Sequence, residues 1–179
     1  MAAAFVFLGA FTYGIVYTVW LKRRSVWNIV VGGLAGSFAV LAGAAAVDPS
    51  PQVVPTLLAI VLFLWTPPHF WALAIPYTDD YRSAHVPMLP VTRGAREATR
   101  RSLVYSIVTV FVSLTLYATG DVGLVYLSIA GALGVGLIWL SIRQIQLATV
   151  AAAWSLFKYS TTYLALLFGA MVIDRLLPL

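Results

Sequence analysis

Polar residues in this chain are confined to short interruptions between six long apolar runs. The first run, residues 2–20, ends at Lys22-Arg23-Arg24, and the second, residues 27–47, ends at Asp48-Pro49-Ser50-Pro51. The third covers residues 53–75. After a polar connection over residues 76–101, three more runs follow at residues 102–119, 122–142 and 156–177. A helix rising ~1.5 Å per residue needs about 20 apolar residues to cross the hydrocarbon core of a bilayer, and each run is near that length. The pattern predicts an all-α, polytopic membrane helical bundle with six transmembrane helices, forming one domain over residues 1–179. Gly120-Asp121 reads as a tight turn between the fourth and fifth helices, and residues 143–154 as a short amphipathic link to the sixth.

Composition agrees with this reading. The chain is 61% hydrophobic and only 9% charged, whereas soluble domains carry about a quarter charged residues. Its net charge of +5 could suit a nucleic-acid binder. The basic residues are instead divided among alternate loops: Lys22, Arg23 and Arg24 after the first helix, Arg82, Arg93, Arg96, Arg100 and Arg101 after the third, and Arg143 with Lys158 after the fifth. The other connections carry only Asp48 and Asp121. That alternation is the positive-inside pattern of a multi-pass membrane protein, so no nucleic-acid partner is expected and the lipid bilayer is. It makes the 76–101 connection cytoplasmic and places both termini outside. The first 20 residues lack the basic start of a secretory signal and read as a span. An outside start without a signal predicts further helices ahead of Met1. With no cysteine, thiolate chemistry is excluded.

Chemistry concentrates between Trp65 and Gly94. Asp79 and Asp80 are adjacent carboxylates at a helix end, suited to Mg²⁺, which is commonly held by one or two carboxylates together with substrate phosphates. A solvated loop pair is the plainer reading of the same two residues. Arg93, Arg96, Arg100 and Arg101, with Lys22 to Arg24 on the same side, could receive a diphosphate. Topology alone also accounts for them. His69 follows Pro67-Pro68 within a span, where an ionisable side chain is costly and so becomes a functional candidate, with a neutral, hydrogen-bonded core histidine as the alternative reading. The prolines predict a kink whose freed carbonyls face the protein interior. Trp65, Phe70, Trp71 and Tyr77 are expected around His69, as an aromatic wall able to tolerate a flat ligand or a carbocation. His85-Val86-Pro87-Met88-Leu89-Pro90 reads as a stiff extended segment that could serve as a lid. Gly32, Gly33, Gly36 and Gly43 predict close helix packing.

The run WTPPHFWALAI, then DDY, then VPMLPVTRG resembles the central signature of the protohaem IX farnesyltransferases, the haem O synthases of the UbiA prenyltransferase superfamily. YTVWLKRRSVWNIVVGGLAG resembles the preceding two-helix stretch of that family and LFKYSTTYLALLFGAMVID its last helix. The resemblance implies a nine-helix fold, to whose last six helices this chain corresponds. It implies transfer of a farnesyl group from farnesyl diphosphate to a vinyl group of haem B, giving haem O, with Mg²⁺ as cofactor and haem A synthase as a partner. The setting it implies is the cell membrane (inner or plasma membrane). By the same comparison Asp80, Tyr81 and Asp79 are the catalytic acidic motif, with Asp79 and Asp80 as metal ligands. Lys22, Arg23, Arg24 and Arg93 would bind diphosphate, and His69 and Trp65 would line the haem pocket. The family's first acidic motif has no counterpart, since no acidic residue precedes Asp48. The family's usual paired prolines are also absent from residues 36–43. A fragment, or a separate chain supplying the rest, is therefore expected. Another UbiA-type prenyltransferase acting on an aromatic or lipid acceptor, or a non-catalytic assembly partner, are the alternatives.

Overall fold

The computed structural model describes residues 1–50 and 52–176, so Pro51 of the second connection and Leu177 of the sixth run lie outside it. The described residues are mostly helical, with no strand among them. Helix α1 (Ala2–Phe11) continues as a π-helix over Thr12–Leu21; α2 spans Asn28–Val47 and α3 spans Val53–Ala74. Two short helices, α4 (Thr78–Ser83) and α5 (Leu89–Arg93), fill the long connection. Then come α6 (Ala95–Thr115), closed by a 3₁₀ turn at Leu116–Thr119, α7 (Leu124–Leu147) and α8 (Val150–Leu176). Six of these segments are long and apolar enough to cross a membrane, as the sequence predicts. This is a multi-pass membrane protein.

Helix α3 is the hub, packing against α2, α6 and α8, with α1 outside α2 and α7 completing the bundle against α6 and α8. Lipid supplies no hydrophobic drive for helices to associate, so close approach and interhelical hydrogen bonds must do so. A Cβ added at Gly33 would stand 3.2 Å from the Thr66 side chain, and one at Gly36 equally near Leu62. Next to these contacts Ser37 Oγ donates to the Ala59 carbonyl of α3 at 2.8 Å. Gly32 admits the Tyr17 ring from the π-helical segment, whereas a Cβ added at Gly43 would meet nothing within 4 Å among the described residues, so the expected close packing is not seen there.

Helix α6 presents Thr99, Ser102, Ser106, Thr109 and Ser113, all buried and spaced alternately three and four residues apart. This spacing keeps five small hydroxyl side chains on one stripe, facing the neighbouring helices. Ser141 of α7 donates to Ser106 Oγ at 3.0 Å, Tyr163 of α8 donates to Ser113 Oγ at 3.1 Å, and Tyr126 of α7 donates to the Ser113 carbonyl at 2.9 Å. Each such bond contributes about 0.6 kcal/mol in membrane bundles. At the end opposite the arginine-rich connection, Asp174 near the close of α8 accepts from the backbone N–H groups of Gly123 at 2.5 Å and Tyr126 at 3.0 Å. One helix thus caps the free donors at the start of another.

Three boundaries depart from expectation. The 143–154 link is not formed: α7 runs to Leu147, Ala148 turns in the left-handed region at φ 50°, and α8 starts at Val150. Thr149 Oγ1 accepts the Ala152 N–H at 3.2 Å, a side-chain cap that restarts the helix at once. Helix α6 starts at Ala95, straight after Gly94 at φ 82°, so Arg96, Arg100 and Arg101 ride on its first turns instead of a loop. The π-helix had no signal in the apolar pattern; there Lys22 N–H bonds to the Tyr17 carbonyl at 2.7 Å, five residues back.

If close approach holds α2 to α3, Gly33→Leu will lower the thermal unfolding midpoint in detergent, overpacking a tight contact at about 1–3 kcal/mol. Gly43→Leu, with the same helix-propensity gain and open space around it, will leave the midpoint unchanged or raise it.

Candidate functional site

Where the π-helix meets the long connection, a cavity of about 640 Å³ opens. One wall carries Thr18, Lys22 and Arg23; the facing wall carries Tyr77, Asp80 and Tyr81, with Val86 behind. Residues separated by more than fifty positions are thereby brought to one space, two of them cationic and one a carboxylate.

Both walls are fixed by hydrogen bonds to backbone carbonyls. On the first, Asn28 is fully buried, and its Nδ2 donates to the Lys22 carbonyl at 3.1 Å. Asn28 thus ties the basic turn to the start of α2. The Lys22 ammonium lies 5.9 Å from the Tyr17 ring centroid, a cation–π arrangement that holds the stem over an aromatic face. On the second wall, Thr78 Oγ1 donates to the Ile75 carbonyl at 2.8 Å, joining α4 to the end of α3. Val86 N–H returns to the Tyr81 carbonyl at 2.9 Å. Tyr17 and Tyr81 both pack on a small apolar cluster of Ile29, Ala74, Val86 and Met88, which sets the two walls against each other. Burial, with Tyr77 nearby, pushes the Tyr81 phenol above its ordinary range, and a phenol is in any case a hydrogen-bond donor at neutral pH.

The two carboxylates part company. Asp79 and Asp80 are consecutive in the first turn of α4, and successive helical side chains diverge by ~100°. Asp80 lines the cavity, while Asp79 turns outward to pair with Arg82 and is 92% exposed. Arg24 and Arg93 are exposed and do not line the cavity. Of the residues expected to share a site here, the structure brings together Lys22, Arg23, Asp80 and Tyr81, and leaves out Asp79, Arg24 and Arg93. Thr18 had no signal as a wall residue, and Tyr77, expected beside His69, lines this cavity instead, because both roles depend on the meeting of two distant segments.

The proline-bracketed segment is not free to act as a lid. Met88 and Leu89 are each 2% exposed, and Leu89-Pro90 already begin α5, with proline tolerated at a helix start. Apolar burial of Val86, Met88 and Leu89 anchors the segment beneath α2 and α3.

His69 and Trp65 lie deeper, in the contact between α3 and α8. The His69 ring is stacked between Trp65 at 4.2 Å and Phe157 at 4.5 Å, with Phe70 edge-on at 5.2 Å. Its Nδ1 is 2.8 Å from Ser160 Oγ, and Trp65 Nε1 donates to the Ser160 carbonyl at 2.7 Å. Ser160 donates its own hydroxyl to the Phe157 carbonyl at 2.7 Å, so its oxygen accepts from a protonated Nδ1 and leaves Nε2 as the acceptor nitrogen. Trp71 does not join this group; it packs edge-on against Tyr105 of α6. The aromatic wall continues instead through Phe157 to Trp154 at 5.6 Å and on to Tyr77 at 5.9 Å, at the cavity. A chain of rings therefore connects the buried histidine to the charged cavity. Ser160, Phe157 and Trp154 could not be paired with His69 from spacing, lying about ninety residues away on the last helix.

The chain matches the UbiA prenyltransferase family over residues 1–169. It is 49% identical to "Protoheme IX farnesyltransferase 2" of Paramagnetospirillum magneticum, over 98% of this chain and 61% of that protein. It is 47% identical to "Protoheme IX farnesyltransferase 1" of the same organism, over 98% of this chain and 62% of that protein. A third relative, "Protoheme IX farnesyltransferase" of Parvibaculum lavamentivorans, is 42% identical over 100% of this chain and 58% of its own length. The chain thus spans about three fifths of the length of these curated relatives. No solved structure matches it. With the family match covering nearly all of an all-helical chain of six membrane-length helices, this chain belongs to the UbiA prenyltransferase family.

Proposed function

We propose that this chain forms the farnesyl-transferring part of a protohaem IX farnesyltransferase, moving a farnesyl group from farnesyl diphosphate to a vinyl group of haem B to give haem O. The observation that carries this reading is the convergence of Lys22 and Arg23 on Asp80 and Tyr81 in one cavity, at the end of an aromatic path leading to His69. Its similarity to proteins named protoheme IX farnesyltransferases supports it. On this reading the charged end of the bundle is cytoplasmic, in the plasma membrane, and residues 76–101 form its connection. Haem A synthase is the partner that receives the product.

The reaction breaks the bond between the first farnesyl carbon and its oxygen, and diphosphate leaves with the electron pair. Lys22 and Arg23 stabilise the charge growing on the departing group, and the protonated Tyr81 donates to it. The allylic cation is attacked by a vinyl carbon, and the charge left on the haem side chain is neutralised by addition of water and loss of a proton. The ring faces from Tyr77 to Phe157 offer a negative quadrupole to such cations and exclude water from the apolar chain. His69, its ring clamped and its Nε2 an acceptor, and Trp65 suit a flat porphyrin edge.

Asp80 is the carboxylate that would hold Mg²⁺. Among the described residues no group of three or more acidic or histidine side chains could enclose a metal, and Asp79 is engaged with Arg82. That donor set fits an ion shared between protein and diphosphate rather than one caged by protein. When bound, Mg²⁺ would neutralise part of the diphosphate charge.

A farnesyl transfer assay in membranes, with haem B, farnesyl diphosphate and Mg²⁺ supplied to the intact protein, tests the reading. Asp80→Ala will cut haem O formation by at least about a hundredfold, in the range seen when one charge-stabilising group is lost, while Asp79→Ala will keep most of it. Equal loss in both variants would return Asp79 to the site, and undiminished turnover in Asp80→Ala would refute the proposed cavity.

Asn28→Ala will raise the KM for farnesyl diphosphate by about tenfold, since a lost buried hydrogen bond of roughly 1–2 kcal/mol frees the Lys22–Arg23 turn. The KM for haem B will stay the same. A matching rise in both constants would mean that Asn28 supports the fold at large and not the diphosphate wall.

A further inference from the structure

A second, smaller cavity of about 180 Å³ lies at the same basic end, between the end of α3, the first turns of α6 and the end of α7. It shares no lining residue with the Lys22–Asp80 cavity. Its walls combine apolar Ile75, Ile145 and Ala148 with Arg96, Thr99 and Gln144.

Gln144 is the telling member. It is 1% exposed, and among the described residues neither its amide nitrogen nor its amide oxygen has a hydrogen-bond partner. One turn earlier Ser141 is fully engaged with Ser106 and the Leu137 carbonyl, so the polar seam between α6 and α7 is satisfied until it reaches this cavity. A buried carboxamide presents donors and an acceptor together, and leaving both unmet is costly. Its complement must therefore carry an acceptor and a donor in one small group. Thr99 adds an oxygen able to accept, since its hydroxyl proton is committed to the Arg96 carbonyl at 2.9 Å. Arg96 adds a positive charge and takes part in no ion pair among the described residues; its neighbour Glu97 is occupied by Arg101 at 2.7 Å.

We propose that this cavity is a headgroup site for an anionic phospholipid whose phosphate diester meets Arg96 and the Gln144 NH₂, and whose headgroup hydroxyl donates to the Gln144 carbonyl oxygen, as in a phosphatidylglycerol. The space is well beyond the ~15 Å³ that one water requires. The site lies at the ends of membrane-length helices, where lipid headgroups lie and where basic pockets between helices recognise them. Ile75 and Ile145 line it with apolar surface suited to the glycerol backbone and first methylenes. The proposal stands apart from the farnesyl-transfer reading, and its readout is lipid affinity.

The test is titration of the delipidated, intact protein in detergent with phosphatidylglycerol and with phosphatidylcholine, read by native mass spectrometry. Wild type will retain phosphatidylglycerol preferentially. Gln144→Leu will weaken that retention about tenfold and Arg96→Gln about fivefold, with phosphatidylcholine unaffected. Arg96 is exposed, so its variant folds and decides the matter even if Gln144→Leu does not. Retention of phosphatidylglycerol by Arg96→Gln at the wild-type level would overturn the proposal. Displacement of the lipid by an equal concentration of inorganic phosphate would also overturn it, showing a site for a free anion. Equal binding of the two lipids by wild type would do the same, leaving the Gln144 amide to ordinary water.

Discussion

Water does not reach the middle of a membrane bundle, so polar groups there must be satisfied by other helices or by their own backbone. This constraint organises the whole arrangement. Ser37 reaches the Ala59 carbonyl, His69 meets Ser160, and Tyr163 and Tyr126 converge on Ser113. Each link is weak alone, but each has a direction, so together they set the rotation of α2, α3, α6, α7 and α8 about their axes. Close approach at Gly33 and Gly36 sets the distance between α2 and α3.

The charged cavity depends on that rotation. Lys22 and Arg23 leave the membrane at the end of the π-helix, while Asp80 and Tyr81 stand at the start of a short helix hung from α3. The walls face one another because the π-helical segment is seated on α2 through Tyr17 at Gly32, and α2 is seated on α3. The aromatic path depends on it too, since Tyr77 and His69 on the α3 side meet Trp154 and Phe157 on α8. On the proposed reading, the charged cavity takes the diphosphate of an amphiphilic donor and the ring stack its apolar chain. Gln144 is the exception in this economy of polar groups, and its lack of a partner within the described protein marks the smaller cavity as a place for something else.

The apolar and charged pattern alone determined six membrane-length helices and which connections are basic, because bilayer thickness and the scarcity of charge act on sequence directly. The signature around DDY was likewise enough to indicate the family. Only the tertiary structure decided which candidates share a space. Asp79 and Asp80 look equivalent as neighbours in sequence, yet a helical step of ~100° sends one to the cavity and the other to Arg82. Arg24 adjoins Lys22 and Arg23 in sequence, and Arg93 lies in the next basic connection, yet neither lines the cavity; Ser160, Phe157 and Trp154 gained roles through a helix contact spanning about ninety residues. Periodicity specifies which face of a helix is apolar. It says nothing of which other helix that face will meet, because that depends on packing and hydrogen bonds between segments far apart in the chain.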